Sequence, residues 1–74
     1  MVKVEVNGNN TEMEGNANNL GQLLGYAADG EIIRQIVELL SQGKSVEYEK
    51  LSESKTYKLT PIDLSGPPQG TVKM

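Results

Sequence analysis

The stretch "VKVEVNGNNTEM", residues 2–13, restricts this chain more than any other. Its first five residues alternate apolar and polar, which places Val2, Val4 and Val6 on one face of a strand and Lys3 and Glu5 on the other. Asn7-Gly8 follows, and that dipeptide suits the two positive-φ positions of a tight hairpin turn. With those residues as the loop, Val6 faces Asn9, Glu5 faces Asn10, Val4 faces Thr11, Lys3 faces Glu12 and Val2 faces Met13. Thr11 and Met13 then join the valine face, while Lys3 and Glu12 form a cross-strand charge pair on the other side. A slip of one residue would destroy both features.

Helical periodicity takes over after a loop at "GNANN". The stretch "NNLGQLLGYAA", residues 18–28, gathers Leu20, Leu23, Leu24 and Ala27 on one side, and Asn16, Asn18 or Asn19 can cap it. Gly21 and Gly25 each weaken such a helix by about 1 kcal/mol relative to Ala, or permit close backbone packing. The clearer helix is "DGEIIRQIVELLSQGK", residues 29–44. Asp29 is its expected cap, and Ile32, Ile33, Ile36, Val37, Leu39 and Leu40 cover a broad apolar face. Arg34 and Glu38 pair on the polar side, and Gly43 suits a left-handed stop.

Alternation returns in "SVEYEKL" and "KTYKLT". A turn centred on Glu53-Ser54 sets Tyr48 opposite Leu59, Val46 opposite Pro61 and Glu49 opposite Lys58. Beyond Pro61, "PIDLSGPPQGTVKM" is rich in Pro and Gly and reads as an extended arm. The expected fold is α+β: a small antiparallel sheet of two hairpins, packed on one face by two helices, in the order ββααββ. One domain spans residues 1–60, and the extended C-terminal arm spans 61–74. The expected core is Val2, Val4, Val6, Leu24, Ile32, Ile36, Val37, Leu40, Val46, Tyr48 and Leu59.

At 74 residues such a core is small. The chain has no Cys and no His, so disulfides are excluded and a structural zinc site lacks its usual ligands. Oligomerisation is the remaining way to add buried surface. The net charge of −3 argues against a nucleic-acid partner, which calls for a basic face. Arg34, Gln35 and Glu38 interrupt the apolar run from Ile32 to Leu40, so no membrane span is expected. Met1 opens a strand-like segment and not a basic-then-apolar leader, which gives the expectation of a cytoplasmic protein.

Candidate chemistry is sparse. "GKS" at residues 43–45 ends like a phosphate-binding loop, but that motif wants glycine where Glu38 stands, and a strand before it where a helix is expected. Glu12 and Glu14, beside asparagines, lack the spacing of a calcium loop. Glu47, Glu49 and Glu53 are interleaved with Lys50, Lys55 and Lys58, as on a mixed-charge surface. Tyr26, Tyr48 and Tyr57 lack the basic field that would let them stack bases. Asn9 to Thr11 fits a glycosylation sequon, which matters only for a secreted chain.

Two local resemblances follow from particular residues. "PIDLS", residues 61–65, is similar to the Pro-x-Asp-Leu-Ser peptide that docks on corepressors of the C-terminal-binding-protein family. That resemblance implies a partner-binding role for Ile62, Asp63 and Leu64; the alternative is that Pro61 ends the last strand and Ile62 and Leu64 pack back on the core. The opening hairpin and helix loosely resemble ubiquitin-type sulfur carriers, whose activity requires a C-terminal Gly-Gly where this chain ends "GTVKM".

Together these features point to a small non-enzymatic binding or regulatory module, homo-oligomeric and without a cofactor or bound metal. Glu47, Glu49, Ile62, Asp63 and Leu64 are its candidate contact residues. Two alternatives stand beside this reading. One is an inhibitor of a host protein, of the phage or mobile-element type. The other is a small-ligand or nucleotide binder with its pocket at a subunit interface.

Overall fold

The opening hairpin forms in the register its alternation dictates. In a computed structural model describing residues 1–62 and 70–74, β1 (Val2–Val6) and β2 (Asn9–Met13) pair antiparallel, Val2 with Met13 through Val6 with Asn9. Asn7 and Gly8 take φ of 48° and 88°, as the turn requires. Asn7 has a second task. Its side-chain Oδ1 accepts from the Thr56 N–H at 3.0 Å, and its own N–H donates to the Thr56 carbonyl at 3.2 Å. The turn is thereby tied to the neighbouring strand.

Two helices follow. In α1 (Ala17–Leu24), Asn16 is the N-cap, and its side chain accepts from the Asn19 N–H at 2.8 Å. This helix ends four residues before Ala28, the expected limit. Gly25 takes φ 80°, and the Tyr26 N–H returns to the Gly21 carbonyl at 2.9 Å, a left-handed stop. The chain folds back so closely that a Cβ on Gly21 would lie 2.7 Å from the Tyr26 carbonyl oxygen. Helix α2 (Glu31–Ser41) is capped by Gly30 without a side-chain bond, not by Asp29 as expected. Its C-terminus closes as anticipated: the Gly43 N–H reaches the Leu40 carbonyl and the Lys44 N–H reaches that of Leu39.

The sheet corrects the expected two-hairpin antiparallel arrangement. It is mixed and five-stranded, in the order β2-β1-β4-β3-β5, with β3 (Ser45–Lys50), β4 (Lys55–Pro61) and β5 (Thr71–Lys73). The two hairpins join where β1 pairs antiparallel with β4, and β5 adds a parallel strand outside β3. The end of the expected arm is thus part of the sheet.

The β3–β4 register is also corrected, by two residues. Val46 faces Leu59, Tyr48 faces Tyr57 and Glu49 faces Thr56. A 3-10 turn at Leu51–Glu53, closed by left-handed Ser54, replaces the turn centred on Glu53-Ser54. A shift of two preserves which face each side chain occupies, so the apolar alternation could not detect it.

Both helices lie on one side of the sheet, over Val2, Val4, Val46, Tyr57 and Leu59. The buried core adds Leu20, Leu24, Ile33, Ile36 and Leu40. Leu20, Ile33 and Tyr57 were not among the expected core residues, whereas the expected Val6, Ile32, Val37 and Tyr48 are only partly buried. Tyr57 is enclosed because β4 is the central strand, flanked by β1 and β3. Alternation identifies a strand's inner face but not its place in the sheet.

Candidate functional site

The face of the sheet away from the helices carries the side chains that alternate with the core. Register places them in rows. Across the middle run Asn10, Glu5, Lys58, Glu47 and Lys73, one from each strand. Beside it run Glu12, Lys3 and Thr60, with Ser45 and Thr71 facing each other farther along. Opposite charges therefore meet across neighbouring strands, which favours this register over one that would oppose like charges. Exposed pairs of this kind contribute about 0–1 kcal/mol each, so their main effect here is to neutralise the surface.

The sequence-predicted site residues fall on this face or beyond it. Glu47 lies between Lys58 and Lys73, and its carboxylate is 3.9 Å from the Lys73 ammonium. Glu49 is exposed opposite Thr56. These two acids, with Tyr48, Thr56, Lys73 and Met74, border a shallow groove of about 200 Å³. That is below the roughly 300–1,000 Å³ of clefts that enclose drug-sized ligands. Ile62 is exposed just past β4, and its N–H donates to the Met1 carbonyl at 3.2 Å. Asp63 and Leu64 lie outside the described residues. The structure thus brings Glu47 and Glu49 together and sets Ile62 at the far end of β4 from Thr56.

Glu12 stands opposite Lys3, while Glu14 accepts from the Asn16 side chain at 3.3 Å. Among the described residues, no group of three acidic, Cys or His side chains is placed to hold a metal ion. No helix of the described residues is long and apolar enough to cross a membrane.

A second polar cluster lies on the helix side, where β3 meets the end of α1. The Tyr26 and Tyr48 hydroxyls are hydrogen-bonded at 2.5 Å, with their rings edge-to-face at 6.1 Å. The Lys50 ammonium lies 4.8 Å from the centre of the Tyr26 ring, donates to the Leu24 carbonyl at 2.7 Å and pairs with Glu53 at 3.0 Å. It thus satisfies the last carbonyl of α1, where the helix dipole is negative.

Glu53 holds Lys50 above the ordinary lysine range, and Lys50 holds Glu53 below the ordinary carboxylate range. The bond to Tyr26, and then burial, raise the Tyr48 phenol. These groups bind one another, so the cluster's task is to clamp α1 to β3. The grouping of Lys50 with the surface lysines missed this, although parity with Val46 and Tyr48 places it on the inner face.

The third feature is the outer edge of β2. Asn9, Asn10, Thr11 and Glu12 are all exposed there. Comparison of the chain with family models, with curated proteins and with solved structures finds no match.

Proposed function

We propose that this chain is a small non-enzymatic module that works through protein–protein contacts, beginning with another copy of itself. The observation that carries the reading is the one-sided cover of the sheet. Both helices pack on one face, while the other face and the β2 edge present ordered polar groups at the surface. Such a surface is built for pairing with another chain more than for enclosing a small substrate. The absence of His and Cys from the sequence agrees with a role other than nucleophilic or metal-assisted catalysis. Light scattering across about a hundredfold dilution tests self-association, since mass action makes a reversible oligomer concentration-dependent. A mass that falls from dimer toward monomer is expected; a monomer throughout would sink the reading.

The groove beside Glu47 and Glu49 favours a second reading, an inhibitor that docks its acidic rim on another protein. Glu47 is shared between two lysines, so Glu49 would carry most of the specificity. Reversing Glu49 to Lys would then abolish binding to the target, and unchanged binding would remove this surface from consideration.

A further inference from the structure

We propose that the outer edge of β2 pairs with the same edge of a second copy, antiparallel about Thr11, so that two sheets become one. This rests on the self-association proposed above and names its surface. Among the described residues the sheet has two outer edges, β2 and β5, and the sequence treats them differently. β5 is three residues long and carries exposed Lys73. Short strands and lysines are ordinary ways to keep an edge from pairing. β2 is five residues long and contains neither Lys nor Pro. Its register with β1 is unbroken, so no bulge turns the edge away.

The backbone directions follow from the neighbouring ladder. The Asn7 N–H goes to Thr56, and the Met1 carbonyl accepts from Ile62. Odd-numbered residues of β1 therefore bond β4, and even-numbered ones bond β2. Asn9, Thr11 and Met13 are thus engaged with β1, while Asn10 and Glu12 point their N–H and C=O groups outward.

Only one symmetric register uses the whole strand. With the two-fold axis at Thr11, Asn10 of each copy meets Glu12 of the other and exchanges both backbone bonds. Centring on Glu12 would oppose two glutamates, which is unfavourable. Centring on Asn10 would set Glu12 against Gly8, inside the turn, and leave Met13 unmatched. The Thr11 register also lets the Asn10 amide donate to the Glu12 carboxylate of the second copy. On the helix side it brings Asn9 of that copy beside Met13, at the mouth of a groove lined by Met13, Asn19, Gln22 and Leu23.

The test uses the chain's lack of cysteine. In the proposed dimer the two Thr11 residues form a non-hydrogen-bonded pair, whose Cα atoms lie about 4.5 Å apart, within disulfide range. Thr11→Cys should cross-link under mild oxidation about tenfold or more faster than Thr71→Cys on the opposite edge, because pairing raises the local thiol concentration. Thr11→Lys, which opposes two like charges, should shift the chain to monomer without lowering the melting temperature measured at dilution. A Thr11→Cys rate no greater than that of Thr71→Cys would overturn the proposal. If the unaltered chain still dimerises in light scattering, the interface lies elsewhere and self-association stands. A monomer at every concentration overturns both.

Discussion

Gly21 and Gly25 show how single residues end α1. A Cβ at residue 21 would press on the Tyr26 carbonyl, and φ 80° at residue 25 opposes any L side chain. Gly21→Ala should therefore destabilise the fold by about 1–2 kcal/mol in denaturant titration: the atom met is backbone, which puts the overpacking penalty at about 2–3 kcal/mol, and the helix-propensity gain offsets about 1 kcal/mol. An unchanged midpoint would contradict the close approach. Asn16→Ala removes the α1 cap and should cost about 1 kcal/mol. Titration of the tyrosine–lysine cluster sets a further expectation. Tyr48 and Lys50 both have raised values in the folded chain. Their stabilisation is therefore complete below the unfolded-state values and is lost as pH rises through the folded ones. The melting temperature should fall above about pH 10, and Tyr48→Phe should make that decline shallower. An identical decline in the variant would show that Tyr48 does not contribute. Glu53 has the opposite sign: its contribution is present above the ordinary glutamate range and is lost as pH falls through its lowered value.

At the scale of elements, the helical faces set the core. Ile36 is fully buried, so Ile36→Asp places an unpaired charge there and should abolish the cooperative melt; retained melting would refute its placement. Ile33 should behave in the same way, while the half-buried Ile32 should tolerate Asp better. Much of this level was legible in the sequence. The Asn7-Gly8 turn set the first register residue for residue, because a two-residue loop leaves no freedom. Gly43 marked the end of α2 for a similarly local reason. Other features left no such signal. The β3–β4 register depended on a 3-10 turn that preserves parity. The cap of α2 passed from Asp29 to Gly30, where a local turn bonds the Gly30 N–H to the Ala27 carbonyl at 2.9 Å and the Gly30 carbonyl accepts the first helical bond from Arg34. Of the candidate site, the shared face of Glu47 and Glu49 was readable from alternation. The lysines on either side of Glu47 depended on pairings with β4 and β5 that no local pattern encodes.

For the whole molecule, the sheet order sets which strand is most enclosed and underlies the proposed mode of action. Placing β4 at the centre encloses Tyr57 and Leu59, while β2 and β5 take the outside positions. A short, lysine-bearing β5 closes one side, and β2 leaves a longer edge without Lys, Pro or a bulge on the other. Tyr57→Ala should cost about 3–5 kcal/mol, a large share of the stability of so small a domain. The most direct measurement on the proposed assembly is residue-resolved hydrogen exchange at high and low protein concentration. Edge pairing predicts that the Asn10 and Glu12 amides are protected when the chain is concentrated and exchange freely on dilution, while Thr11, bonded to β1, stays protected throughout. Equal and rapid exchange of Asn10 and Glu12 at both concentrations would contradict it.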